Sequence, residues 1–434
     1  MLIHTGGSGT WEVIDNLLGG IRIPRMVRVR QRFPHPAPID TAREIERQLE
    51  APQFWNHFKS GDSVAIAVGS RGIENQVSAV RTIVSIIRRH GGIPFIIPAM
   101  GSHAGATADG QAAMLRGMGF TEEAIGAPIR ATMDTVELGR TAEENLPVLT
   151  DRFGYEADHL VILNRIKPHV CFRGRYESGL MKMITIGLGK QKGAEIAHNL
   201  GFGHMPDHIP MIALEALKRL KVLFAVGFVE NAYHETCVAQ VMSGSEIPVR
   251  EPELLELAKH YCPKLHFDRL DALVIDEIGK NISGAGFDTN IVGRYHSSWI
   301  SGGPDIKRVA ILDISKESKG NGNGLGMADF TTVRAAEKFD FSQTYPNTLT
   351  ALLTGGVKIP MVLPNDRQAL QACMKTSTRE NWEDTTIVRI HNTLCLADIE
   401  VSENLVPLLA TDDRFEIVGK PYELQFDENG NLFK

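Results

Sequence analysis

Between residues 63 and 118 the chain switches twice between a strand-like and a helix-like hydrophobic pattern, and this alternation limits its possible folds more than any other feature. Ser63-Val-Ala-Ile-Ala-Val-Gly69 reads as a strand. Asn75 to His90 then sets Val77, Val80, Ile83, Val84 and Ile87 on one face of a helix, which Gly91-Gly92 ends. A second strand, Ile93-Pro-Phe-Ile-Ile-Pro98, and a second helix, Thr107 to Met118, repeat the unit. Such an order builds a mostly parallel sheet. In an open α/β sheet, ligands sit beyond the carboxyl ends of the strands.

The pattern continues downstream. His159-Leu-Val-Ile-Leu-Asn164 has the length and β-branched content of a buried strand, and Lys221 to Val229 reads as another, ending at Glu230-Asn231. Glu251 to Tyr261 is an amphipathic helix able to lead the chain out of a first domain. After Pro263, Leu270 to Asp276 starts a new strand-helix pattern, and Val309 to Ile314 is a further strand. Upstream, residues 21 to 33 alternate apolar residues with arginine, as an exposed edge strand does. Phe426 to Phe433 resembles a hairpin turn with a short tail.

At about 150 residues per domain, 434 residues suggest two domains. The expected fold is two α/β domains with mostly parallel sheets, residues 1–265 and 266–434, and an active site in the interdomain cleft. The last segment is free, on this reading, to pack back on the first domain.

A net charge of -6 argues against a general nucleic-acid binder and favours small-molecule partners. Five cysteines, Cys171, Cys237, Cys262, Cys373 and Cys395, form no CxxC pair, so a reducing cytoplasm fits best. The start, Met1-Leu-Ile-His-Thr-Gly-Gly7, lacks the pattern of a secretion signal, and no apolar run is long enough for a membrane span. Oligomeric state is open, a homo-oligomer included.

Polar chemistry collects at the strand ends. Gly69-Ser70-Arg71-Gly72 follows the first strand, where Arg71 offers a fork for a carboxylate or phosphate. The second strand leads into Ala99-Met-Gly-Ser-His103-Ala-Gly-Ala-Thr107. The densest stretch is Asn164-Arg-Ile-Lys-Pro-His169, then Glu177-Ser-Gly-Leu-Met-Lys182, then Gly187-Leu-Gly-Lys-Gln-Lys-Gly193, closing on His198 and His204. A lysine amine forms covalent adducts when partial desolvation keeps it neutral, and histidine binds borderline metals. The glycines before Ala194 to Asn199 suit a phosphate at a helix N-terminus, with Lys190 and Lys192 read as solvated. Two glycine-rich loops, Gly279 to Gly286 and Lys319 to Gly326, match no nucleotide fingerprint.

Taken together, Gly101-Ser-His103-x-x-x-Thr107, His169, Ser178-Gly-Leu-Met-Lys182 and His198, sixteen residues after that lysine, resemble the motif series of the nickel-pincer lactate racemase family of 2-hydroxyacid racemases and epimerases. Gly244-Ser-Glu-Ile-Pro-Val-Arg-Glu-Pro-Glu-Leu254 resembles the segment before that family's interdomain helix. The resemblance implies a nicotinate-derived mononucleotide gripping nickel through sulfur, carbon and sulfur. Lys182 would hold it through a thioamide and His198 would complete the metal's coordination, with Ser70, Ser178, Gly179 and Lys190 as further cofactor contacts. His103 and His169 would be the two general bases. Arg71 would bind the substrate carboxylate, helped by Lys280 or, second, Arg294. Loading would need cofactor-biosynthesis enzymes as partners.

The chain departs from the family pattern at Val68 and Gly72, which stand where the family has an aspartate before the arginine and a proline after it. His169 also lies thirteen residues before Lys182, a longer interval than the family's. Arg173, Arg175 and Tyr176 fall in that interval, which implies a hydroxyacid larger than lactate or differently functionalised, or else a solvated loop. Two rival readings remain: a zinc hydrolase using His198, His204 and His208, and a non-catalytic homologue that binds small anions.

Overall fold

The computed structural model describes residues 11–199 and 201–433; the first seven residues read above lie outside them. The chain divides into two compact units, Pro34–Cys262 and a second one formed by the residues up to Phe33 together with those from Pro263 onward.

In the unit Pro34–Cys262 the strands Ile93–Pro98, Ser63–Val68, His159–Arg165, Val222–Glu230 and Thr236–Met242 lie side by side in that order. The first four are mutually parallel and the last is antiparallel to its neighbour. Residues 64 to 68 are wholly buried, so this strand is covered on both faces and its sequence shows no polar alternation. The helix Gln76–Arg89 buries Ala79, Val80, Ile83, Val84, Ile86 and Ile87, and Gly91 follows it with a left-handed φ of 82°. Each fully buried Val or Ile contributes roughly 1.5–3 kcal/mol relative to exposure. The helix Ala108–Gly117 starts where Thr107 Oγ1 accepts the Gly110 N–H at 3.1 Å. A separate hairpin, Thr135–Arg140 with Pro147–Asp151, had no clear sequence signal.

The other unit holds an eight-stranded sheet. Its order is Met361–Leu363, Phe330–Thr332, Asp305–Ile311, Arg269–Ile275, Ile387–Ile390, Asp398–Ser402, Met26–Gln31 and Phe415–Ile417. The first five strands are parallel, and the remaining pairings are antiparallel. Both units are therefore α/β with mostly parallel sheets.

The first strand departs from its expected place. Residues 21 to 33 were expected within a domain spanning residues 1–265, at an exposed sheet edge. Met26–Gln31 instead pairs on both sides, with Asp398–Ser402 and Phe415–Ile417. Its alternation is real, since Val27 and Val29 are buried while Arg28 and Arg30 point outward. Leu18, Ile21 and Met26 join Ala272, Val274, Ala310 and Leu370 in one core, which is the physical reason this segment belongs with the residues after 263. A row of arginines marks a solvated face and does not reveal whether the strand has one neighbour or two.

Phe426 and Leu432 close the expected terminal turn as an antiparallel bridge. The two glycine-rich loops interlock, for Asn323 Nδ2 donates to the Gly284 carbonyl at 3.2 Å. Gly286 has a φ of +92°, and a side chain there would meet the Asn323 carbonyl oxygen at 1.8 Å. All five cysteines are free thiols. Among the described residues no helix is long and apolar enough to cross a membrane.

Candidate active site

The sheet of the unit Pro34–Cys262 brings several of the predicted residues together at its carboxyl edge. Ser63–Val68 and Ile93–Pro98 are neighbours, so the loops after them meet, with Ser70 Oγ 2.5 Å from His103 Nδ1. Arg71 is exposed, yet protein crowding around its guanidinium, and next the charge of Arg165, lowers its pKa; like any arginine it remains cationic. Arg165, ending the strand His159–Arg165, forms an ion pair with Glu230 at the end of the next strand.

The long interval between His169 and Lys182 is taken up by a closed loop. Lys167 and Ser178 exchange both backbone hydrogen bonds, at 2.9 and 3.1 Å, which pinches off residues 168 to 177 and returns the chain to its start. His169 Nε2 thereby lies 2.6 Å from Lys182 Nζ. Glu177, wholly buried, braces the loop by accepting the His169 N–H at 2.6 Å and pairing with Lys259 at 3.3 Å.

The hydrogen bonds define the protonation of this pair. His169 Nδ1 accepts the Cys171 N–H at 3.1 Å, so the proton of the neutral ring sits on Nε2. A hydrogen bond from Nε2–H to Lys182 requires an amine with a lone pair. Burial favours that neutral form, bringing the Lys182 pKa down to about 8; Cys171 opposes the shift, while Arg71 and Lys167 add to it.

His198 is the last residue of the helix Lys190–His198. Its Nδ1 donates to the Ala194 carbonyl at 2.6 Å, which leaves the Nε2 lone pair as the ligating atom. Burial pushes its pKa down to about 4, with Lys182 and His208 among the lesser contributors, so the ring is neutral near pH 7. Phe202 has its ring centroid 5.1 Å from that of His198 and 5.9 Å from that of His169, and Phe172 sits 4.3 Å from His169. These two phenylalanines form an apolar wall beside the histidines. Nothing in the motifs singled them out.

Other expected cofactor contacts have structural work instead. Lys190 is neither solvated nor in an open cradle: it is fully buried, pairs with Asp151 at 2.7 Å and donates to the Pro98 carbonyl. The helix it begins is preceded by a π-helical turn, Met183–Gly187, so the glycines serve close packing and not an exposed phosphate loop. Lys192 is exposed. Ser178 acts through its backbone, in the bridge to Lys167. Gly179 is needed because Glu251 presses on it: a side chain at 179 would meet Glu251 Oε1 at 2.1 Å. Glu251 Oε2 accepts the Met181 N–H at 2.8 Å, and burial pushes its pKa up to about 8. The segment 244–254 thus holds the turn that carries Lys182.

Arg173 and Tyr176 also brace the loop. Arg173 Nη1 donates to the His169 carbonyl at 2.7 Å, and the Tyr176 hydroxyl donates to the Pro248 carbonyl at 2.8 Å. Arg175 is exposed and lies over the Tyr176 ring. In the other unit, Lys280 Nζ donates to the Gly284 carbonyl at 2.7 Å. Arg294 is bound to Asp329 at 3.0 Å and to the carbonyls of Ile306 and Lys307, which makes it a structural residue. Asp276, the carboxylate closest to Lys280 in sequence, pairs with Arg389 at 2.8 Å. His204 and His208 converge with Glu144, and His198 is outside that group.

Fold and site define an α/β protein with a histidine- and lysine-bearing cluster at the carboxyl edge of a parallel sheet. Residues 21–208 match the family model of the lactate racemase N-terminal domain. A solved structure, the lactate racemase apoprotein from Thermoanaerobacterium thermosaccharolyticum, aligns with a TM-score of 0.45 at 12% identity, over 81% of this chain and 86% of that one. No curated protein sequence matches the chain.

Proposed function

We propose that the protein is an isomerase that interconverts the two configurations of a 2-hydroxyacid, using a nickel-pincer mononucleotide joined to Lys182. The contact between His169 and Lys182 is the observation that carries this reading, because it sets a titratable imidazole against an amine whose pKa burial lowers to about 8, which brings its nucleophilic form within reach. The donor set fits the group: Lys182 offers an amine for the thioamide link, and His198 offers a neutral imidazole oriented by the Ala194 carbonyl. When bound, the cofactor would supply a hydride acceptor, which suits a Cα–H too weakly acidic for a side-chain base.

The protein's own residues would do the rest. Arg71 would grip the carboxylate through its planar fork. His103, hydrogen-bonded to Ser70 at its Nδ1, and His169, once its ring proton has moved from Nε2 to Nδ1 and released the Cys171 N–H, would each present Nε2 to a substrate hydroxyl. Each would take that proton for one enantiomer and return it for the other. Phe172 and Phe202 would limit water beside His169. The engagement of Arg173 and Tyr176 in the loop removes one reason for expecting an enlarged substrate.

The test is protein produced together with cofactor-making enzymes and offered single enantiomers of a panel of 2-hydroxyacids, lactate included. The expected result is formation of the opposite enantiomer from at least one of them, lost in Lys182→Ala. Nickel-loaded protein that inverts none of them would overturn the reading.

A further inference from the structure

We propose that Glu144, His204 and His208 form a binding site for a divalent transition-metal cation, separate from His198. One ligand atom from each residue lies within 4.8 Å of the others. They come from three segments: the loop of the hairpin Thr135–Arg140 and Pro147–Asp151, the turn Phe202–His204 and the helix Met205–Leu217.

The hydrogen bonds favour a cation over a plain ion pair. His208 is fully buried, and its Nδ1 lies 2.9 Å from the Ala197 carbonyl. A carbonyl only accepts, so Nδ1 carries the proton and the neutral ring directs the Nε2 lone pair outward, as in a metal-ligating histidine held by its second nitrogen. That lone pair faces Glu144 Oε2 at 3.1 Å. Two acceptors this close need a positive centre between them, either a proton or a metal ion.

The second imidazole separates the two cases. His204 has its ring 5.5 Å from that of His208, with the planes tilted by 30°, as four-residue spacing at a helix start allows. A proton shared by His208 and Glu144 has no use for it, and a second imidazolium there would repel the first. A metal ion uses all three donors. Two imidazoles and one carboxylate suit zinc, nickel or cobalt and not magnesium or calcium, which prefer oxygen. Glu144 and His204 are exposed, so an ion can enter from solvent and keep water in an open position. Bound there, it would tie the hairpin loop to the helix.

The experiment uses the full chain made without cofactor-making enzymes, stripped with a chelator, and titrated with zinc by calorimetry and with cobalt by visible absorption. Wild-type protein is expected to bind one equivalent at this site. Glu144→Gln and His204→Ala, both exposed positions, should weaken binding at least tenfold with unchanged circular dichroism, whereas His198→Ala should retain it. Absence of binding in the wild type, or binding lost only in His198→Ala, would overturn the proposal. So would a Glu144→Gln protein that loses stability at acidic pH yet binds metal like the wild type, since that marks an imidazolium–carboxylate pair.

Discussion

His169 Nε2 lies 2.6 Å from Lys182 Nζ, while the other nitrogen of the same ring accepts a backbone N–H from Cys171. With the amine neutral, the imidazole donates and the lysine accepts, and burial brings that form within reach by lowering the Lys182 pKa to about 8. Cofactor-free protein should show this in its reactivity. Labelling of Lys182 by a limiting amine reagent, followed by peptide mapping across pH, is expected to titrate near 8, where an ordinary lysine titrates near 10.5. His169→Ala should raise that midpoint. A wild-type midpoint above 10 would refute the assigned protonation.

Glu251 supplies a prediction about stability. Its folded pKa is raised from 4.5 to about 8, mainly by burial. The folded state thus holds a proton that the unfolded state releases, so this stabilisation is complete below pH 4.5 and is lost as pH rises through 8. Glu251→Gln should flatten the decline in denaturant midpoint between pH 5 and 8; parallel curves for the two proteins would contradict the account. Gly179→Ala should destabilise by about 1–3 kcal/mol through overpacking against Glu251, at every pH.

The buried pair Lys190 and Asp151 is expected to be structural. Lys190→Met should destabilise by roughly 3–5 kcal/mol, because a carboxylate is left without its cation. Chemical denaturation measures this directly. A stability close to wild type, with loss confined to cofactor retention, would return Lys190 to the cofactor site.

Much of the frame was readable in the residues. Continuous apolar runs at 64–68, 93–98 and 160–163 mark buried strands, and the glycines after the helix Gln76–Arg89 mark its end. The motif residues His103, Lys182 and His198 could be picked out because their order and spacing resemble a known family's motif series. What was not readable depends on contacts distant in sequence. The strand Met26–Gln31 finds its partners near residues 400 and 416, and no local pattern carries that information. Lys190 reads as a surface lysine until Asp151 is seen beside it. Glu144 reaches His208 across 64 residues of chain, so no local pattern around the histidine pair points to it.

For the reaction itself, His103→Ala and His169→Ala are each expected to slow interconversion in both directions by roughly 10² to 10⁴, the usual contribution of a general base. Arg71→Lys should raise KM more than it lowers kcat, since the bidentate grip on the carboxylate is lost. Steady-state kinetics from both enantiomers would check both. A His169→Ala enzyme with near wild-type turnover would shift the search for the second base to His204.

The central claim is that Lys182 carries a nickel-binding nucleotide, and intact mass with peptide mapping and metal analysis tests it most directly. Protein made alongside the cofactor-making enzymes should carry one added mass, located on Lys182, with nickel retained in proportion and reduced in His198→Ala. Fully active protein with an unmodified Lys182 would contradict the account.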